Sequence, residues 1–220
     1  MRRPGCVCAV LMCIAMPPGN AVSAHEPLPL RVEHRAVLRD LPAPAASTHL
    51  LELRAVNLDT WPEADIGEAL RITAQILGQC GVRLSRVDLL RVTAPETHRY
   101  FETPRSRELA RELALPRPAV FFTAGTRQVP AFDAEAIGRG NSRTRPELSD
   151  TVWVARGARD LGIVVAHELV HVLMDSGEHD NSPDNLMAAS TTPQNTRLTL
   201  SQCARLTATG QRHGLLRSVD

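Results

Sequence analysis

Residues 161–174 form an apolar run, Leu-Gly-Ile-Val-Val-Ala-His-Glu-Leu-Val-His-Val-Leu-Met, interrupted only at His167, Glu168 and His171. Leu161, Ile163, Val164, Val165, Leu169, Val170, Val172 and Leu173 surround those three residues on every side, so the segment predicts a helix from about Asp160 to Asp175 that is buried nearly all round. Positions i and i+4 of a helix share a face, with Cβ atoms roughly 5–6 Å apart. His167 and His171 therefore project together. Buried polar groups without partners are costly, and a metal ion is the most economical partner for two imidazoles. Both can bind one zinc ion at about 2.0–2.1 Å. Glu168 then falls beside the metal, where a carboxylate can take a proton from water.

A third ligand is available just past the helix. Gly177 is expected to end the helix in a left-handed conformation and turn the chain back. His179 follows, and neutral imidazole suits zinc well. Asp175, Glu178 and Asp180 are competing carboxylates near the same turn, otherwise readable as a helix-end cap and a solvated turn. The run Asp180-Asn181-Ser182-Pro183-Asp184-Asn185 lacks the turn glycine and distal glutamate of a calcium loop, so it reads as a polar turn. The remaining histidines (His25, His34, His49, His98 and His213) have no metal spacing.

With Asn185-Leu186-Met187 placed eight residues beyond His179, the stretch from Asp160 to Met187 resembles the metzincin clan of zinc metallopeptidases, most closely its matrixin-like branch. That family carries H-E-x-x-H-x-x-G-x-x-H followed by a turn bearing methionine beneath the metal. The resemblance implies a zincin-like α/β fold with a twisted mixed sheet, an active-site helix, a Met-turn and a C-terminal helix. It implies Zn2+ held by His167, His171 and His179, with Glu168 as general base and Met187 under the site. It also implies that Phe132 to Asn141 lines the cleft as an antiparallel edge strand, with Ala136, Ile137 and Gly138 as peptide contacts; a plain surface loop is the competing reading there. Residues 188–198 would wall the pocket beyond the scissile bond. The chain departs from the family pattern in two extra residues between His171 and His179, and in Ala188 where a tyrosine follows the methionine.

The rest of the chain supplies a setting. Arg2 and Arg3, an apolar run from Val7 to Met16 and the small residues Val22-Ser23-Ala24 read as a cleavable signal peptide over residues 1–24, with His25 as the mature start. The apolar run is too short to span a bilayer. Its removal takes Cys6, Cys8 and Cys13, leaving Cys80 and Cys203, which in an oxidising compartment most simply form one disulfide. Residues 25–46, rich in Pro and Ala and without a period, read as a leader or linker, and 47–220 as one mixed α/β catalytic domain. Within it, strands are expected at Thr48–Asn57, Val82–Val92 with a bulge near Ser85, Ala119–Thr123 and Thr151–Ala155. Thr60-Trp61-Pro62-Glu63 and Thr199-Leu200-Ser201-Gln202 read as capping boxes opening helices, and Thr103-Pro104 opens another through Leu113.

Charge excludes some functions. Lys and Arg total 25 against 24 Asp and Glu, so no global field recruits nucleic acid or anionic lipid. All the basic residues are Arg, which excludes lysine Schiff-base chemistry and a P-loop lysine. Aromatics at 3% are too few for a base-stacking platform. Together these features describe a secreted or periplasmic zinc endopeptidase acting on peptide or protein substrates, with no stable membrane insertion. A secreted zinc-binding adaptor without turnover is the alternative, and an α/β domain with an accidental motif is the third reading.

Overall fold

The computed structural model describes residues 27–58, 60–127, 136–139 and 145–219. The expected signal peptide lies outside them. In chain order the elements are β1 (Arg31–Leu38), β2 (His49–Asn57), α1 (Glu63–Gly78), β3 (Val82–Thr93), β4 (Tyr100–Phe101), α2 (Thr103–Leu113), β5 (Ala119–Thr123) and β6 (Gly125–Thr126). Then come β7 (Ala136–Arg139), β8 (Thr151–Ala155), α3 (Leu161–Met174), α4 (Leu200–Arg212) and β9 (Leu216–Ser218). The main sheet runs β1-β3-β2-β5-β8-β7, with β9 added antiparallel to the start of β2. β3, β2, β5 and β8 are parallel; among the described residues β1 and β7 are antiparallel edges. β4 and β6 form a separate parallel pair.

Parallel strands covered on both faces carry apolar residues on both faces. Val120, Phe122, Val152 and Val154 enter the core shared with α1, α3 and α4, whereas Phe121 and Trp153 enter the core shared with α2. The Phe121 and Trp153 rings stack at 4.0 Å. This alternation makes three layers, a mixed α/β fold built on a twisted mixed sheet. Among the described residues no helix is long and apolar enough to cross a membrane.

α1 and α3 cross closely. A Cβ at Gly162 would lie 2.5 Å from Cβ of Ile72, and the Thr73 hydroxyl donates to the Gly162 carbonyl at 3.1 Å. Cys80, just after α1, is disulfide-bonded to Cys203 in α4, as expected from the cysteine arithmetic. Ser85 is the extra residue in the β2–β3 register, so the bulge stands where the sequence suggested it.

Two expectations are corrected. Residues 31–38, read as part of an irregular leader, form β1. Its residues are exposed or half-buried, with Val32 50% exposed, so no two-residue apolar period betrays it. The ladder with β3 and the Arg35–Glu63 contact at 2.9 Å hold it in place. The Thr60–Glu63 capping box does not form either. Asn57 Oδ1 takes the Thr60 N–H, and the Thr60 hydroxyl donates to the Phe122 carbonyl. α1 starts after Pro62 without a side-chain cap. The Thr199–Gln202 box does form, with both reciprocal hydrogen bonds.

Candidate metal centre

α3 delivers His167 and His171 from inside the core. All its residues are buried except Leu161 and Glu168, which are partly open. The helix ends at Asp175, which is left-handed at φ 47°, and the Ser176 N–H returns to the His171 carbonyl at 3.1 Å. The reversal expected of Gly177 therefore falls two residues earlier, and Gly177 is not among the glycines with positive φ. A short polar side chain such as Asp tolerates the left-handed region.

That turn has a direct effect on the site. It brings the Ser176 carbonyl to His171, whose Nδ1 lies 2.6 Å away. His167 Nδ1 lies 2.7 Å from the Leu186 carbonyl. A carbonyl only accepts, so both Nδ1 atoms carry hydrogen and both Nε2 atoms present lone pairs. Those Nε2 atoms face each other at 2.9 Å. Two lone pairs so close call for a cation between them.

His179 completes the group. One ring nitrogen from each of His167, His171 and His179 lies within 4.8 Å of the others. Burial pushes His167 down to about 4; the Leu186 carbonyl opposes this, and His171 and His179 add to it. Burial also lowers His171, against the pull of the Ser176 carbonyl. Both imidazoles are neutral near pH 7, the form a metal requires. Three ring nitrogens, two of them oriented by backbone carbonyls, match the donor set of an open zinc site.

The loop between His179 and Met187 is fixed by polar side chains. Asp180 accepts from the Ser182 hydroxyl at 2.6 Å and from Asn185 Nδ2 at 3.2 Å. Asn185 Oδ1 accepts the Met187 N–H at 2.8 Å, and the Asp180 N–H donates to the Met187 carbonyl at 2.8 Å. The Ser182 hydroxyl and N–H hold the Asp180 carboxyl below its usual range. Glu178 pairs with Arg205 at 2.5 Å. Neither of these competing carboxylates joins the histidine group, and nor does Asp175. Met187 is buried and shares with His179 the lining of a cavity of about 270 Å³.

Ala136, Ile137 and Gly138 lie in β7, paired with Val154, Trp153 and Val152 of β8, at the end of the sheet order and against α3. Residues 132–135, 140 and 141 of the expected strand lie outside the described residues. The partners of the two Nδ1 atoms are main-chain carbonyls, for which side-chain identity gave no signal. Asn185 and Gln202 were visible in the sequence, the latter only as a helix cap.

No family profile and no curated protein matches the chain. Among solved structures it is similar in fold to metalloproteinase-II from Bacteroides fragilis, with 17% identity and a TM-score of 0.52 over 80% of this chain and 57% of that one. The chain thus spans little more than half the length of that relative. Archaemetzincin from Methanopyrus kandleri aligns at 13% identity and a TM-score of 0.49, over 74% of this chain and 96% of that one.

Proposed function

We propose that this chain is a zinc-dependent endopeptidase acting outside the cytoplasm. The observation that carries the reading is the convergence of three ring nitrogens, two of them presented as lone pairs because their Nδ1 partners are carbonyls. The fold shared with a protein described as a metalloproteinase supports it. His167, His171 and His179 would hold the ion, which when bound polarises a scissile carbonyl and acidifies water. Glu168, one residue from His167 and partly open among buried neighbours, accepts the proton of the attacking water and returns it to the leaving amine. Met187, buried and lining the same cavity as His179, would pack beneath the histidines without ligating. Among the described residues β7 is an edge beside α3, so an extended peptide can add to it as a further strand. The leader-like residues 1–24 and the Cys80–Cys203 disulfide support a secreted or periplasmic location.

Metal analysis and peptide hydrolysis on the same preparations test this reading. One zinc per chain is expected, with binding weakened by His179→Ala. Glu168→Gln should keep the zinc and lower turnover about 10²–10⁴-fold, the usual range for loss of a general base. Zinc bound with no turnover of any peptide library by the wild type would favour the zinc-binding adaptor. Absence of zinc from the wild type would remove the catalytic reading.

A further inference from the structure

The segment between α3 and α4 presents His179, the Leu186 carbonyl and Met187, yet the only strand-like pairing in it is the isolated bridge between Asn185 and Arg197. A site needs its groups held within roughly 0.5 Å, and so sparse a ladder does not supply that. Two glutamines do. Gln79, next to Cys80, donates from Nε2 to the Thr196 carbonyl at 2.6 Å and accepts the Leu198 N–H on Oε1 at 3.3 Å. Between those two contacts, Arg197 accepts the Leu186 N–H at 2.7 Å and donates its own N–H to the Asp184 carbonyl at 2.9 Å. The carbonyl of that same Leu186 meets His167. Gln202, next to Cys203, donates to Asn185 Oδ1 at 3.1 Å and to Asp180 Oδ2 at 3.4 Å, beside His179. The disulfide joins the two neighbours of these glutamines.

We propose that Gln79 and Gln202, tied to each other through Cys80–Cys203, are positioning residues of the metal centre. Gln79 fixes residues 196–198, whose Arg197 carbonyl holds Leu186 so that the Leu186 carbonyl meets His167, and Gln202 fixes the Asp180–Asn185 pair beside His179. The two arms reach different ligands and share one covalent anchor. This inference rests on the zinc reading above.

Gln202 also caps α4, since its Oε1 accepts the Thr199 N–H at 2.8 Å and its N–H donates to the Thr199 hydroxyl at 3.2 Å. The test separates the two roles. Gln202→Glu keeps a carboxylate oxygen for the Thr199 N–H and loses the amide donor toward Asn185 and Asp180. Thr199→Ala removes the hydroxyl half of the cap and leaves the amide contacts in place. Zinc affinity is measured by chelator competition, and ligand geometry by the visible spectrum of the cobalt(II)-loaded protein. Gln202→Glu, Gln202→Ala and Gln79→Ala should each weaken zinc about 10-fold, the lower end for partners that orient ligands, and alter the cobalt bands. The Cys80→Ser/Cys203→Ser pair should act in the same direction. Thr199→Ala should lower Tm with zinc affinity within about twofold of wild type, well below that range. If the wild type binds zinc and both glutamine sites can be changed with affinity and cobalt spectrum unaltered, the inference is overturned and the glutamines are structural caps. If the wild type binds no zinc, the metal reading itself falls and takes the inference with it.

Discussion

Asp88 on β3 shows how single residues tune this molecule away from its site. Its carboxylate is within 2.8 Å of Arg86, 3.1 Å of Arg54 and 3.6 Å of His34, and its side chain is 8% exposed. Burial alone would raise its pKa, but Arg86, Arg54 and His34 together hold it below the usual carboxylate range. A folded pKa below the unfolded value contributes stability above about pH 4 that is lost as pH falls through the folded value. Asp88→Asn should therefore cost about 2 kcal/mol at pH 7 and flatten the acid limb of stability, read by urea unfolding at stepped pH. Equal acid sensitivity in the variant would assign that limb to other carboxylates. The metal centre divides differently at this scale. His167, Glu168 and His171 were legible because three polar residues in a buried helix demand a common partner. The carbonyls of Ser176 and Leu186 were not, because every residue has one.

At the scale of elements, legibility followed periodicity and caps. β2, β3, β5, β8 and all four helices carry apolar patterns that local sequence fixes. β1 and β9 do not, since one is only exposed or half-buried along its length and the other spans only Leu216–Ser218, so each exists through its partner strand. The helix start at Thr60 failed as a prediction because Asn57, outside the four-residue motif, competes for the same N–H. The α1–α3 crossing shows what pattern cannot reveal. Gly162 is poor for a helix in isolation, yet its Cβ would clash with Ile72 and reach the Ala69 carbonyl at 3.0 Å. Gly162→Ala should therefore destabilise by about 1–3 kcal/mol, the usual range for overpacking, despite the better helix propensity of alanine. A urea midpoint at or above wild type would show that the crossing relaxes freely.

For the molecule as a whole, the apolar core around α3 joins it to α1, α4 and the sheet without involving the histidine nitrogens. The fold should accordingly survive loss of zinc, unlike small domains folded by metal. Chelation should leave the far-ultraviolet circular dichroism and a cooperative transition intact. Zinc a thousandfold above its Kd should raise Tm by about 10 °C. Unfolding on chelation at 25 °C would contradict this. The two Nδ1 contacts carry a further consequence for how such a chain can diverge. Because His167 and His171 are oriented by main-chain oxygens, substitution at 176 or 186 leaves the accepting atom in place. Selection there acts on backbone path: on the turn at Asp175 and on whatever apolar group fills the space of Leu186. The environment of the site can thus persist through long sequence drift while the letters that spell it change, and shape outlasts spelling.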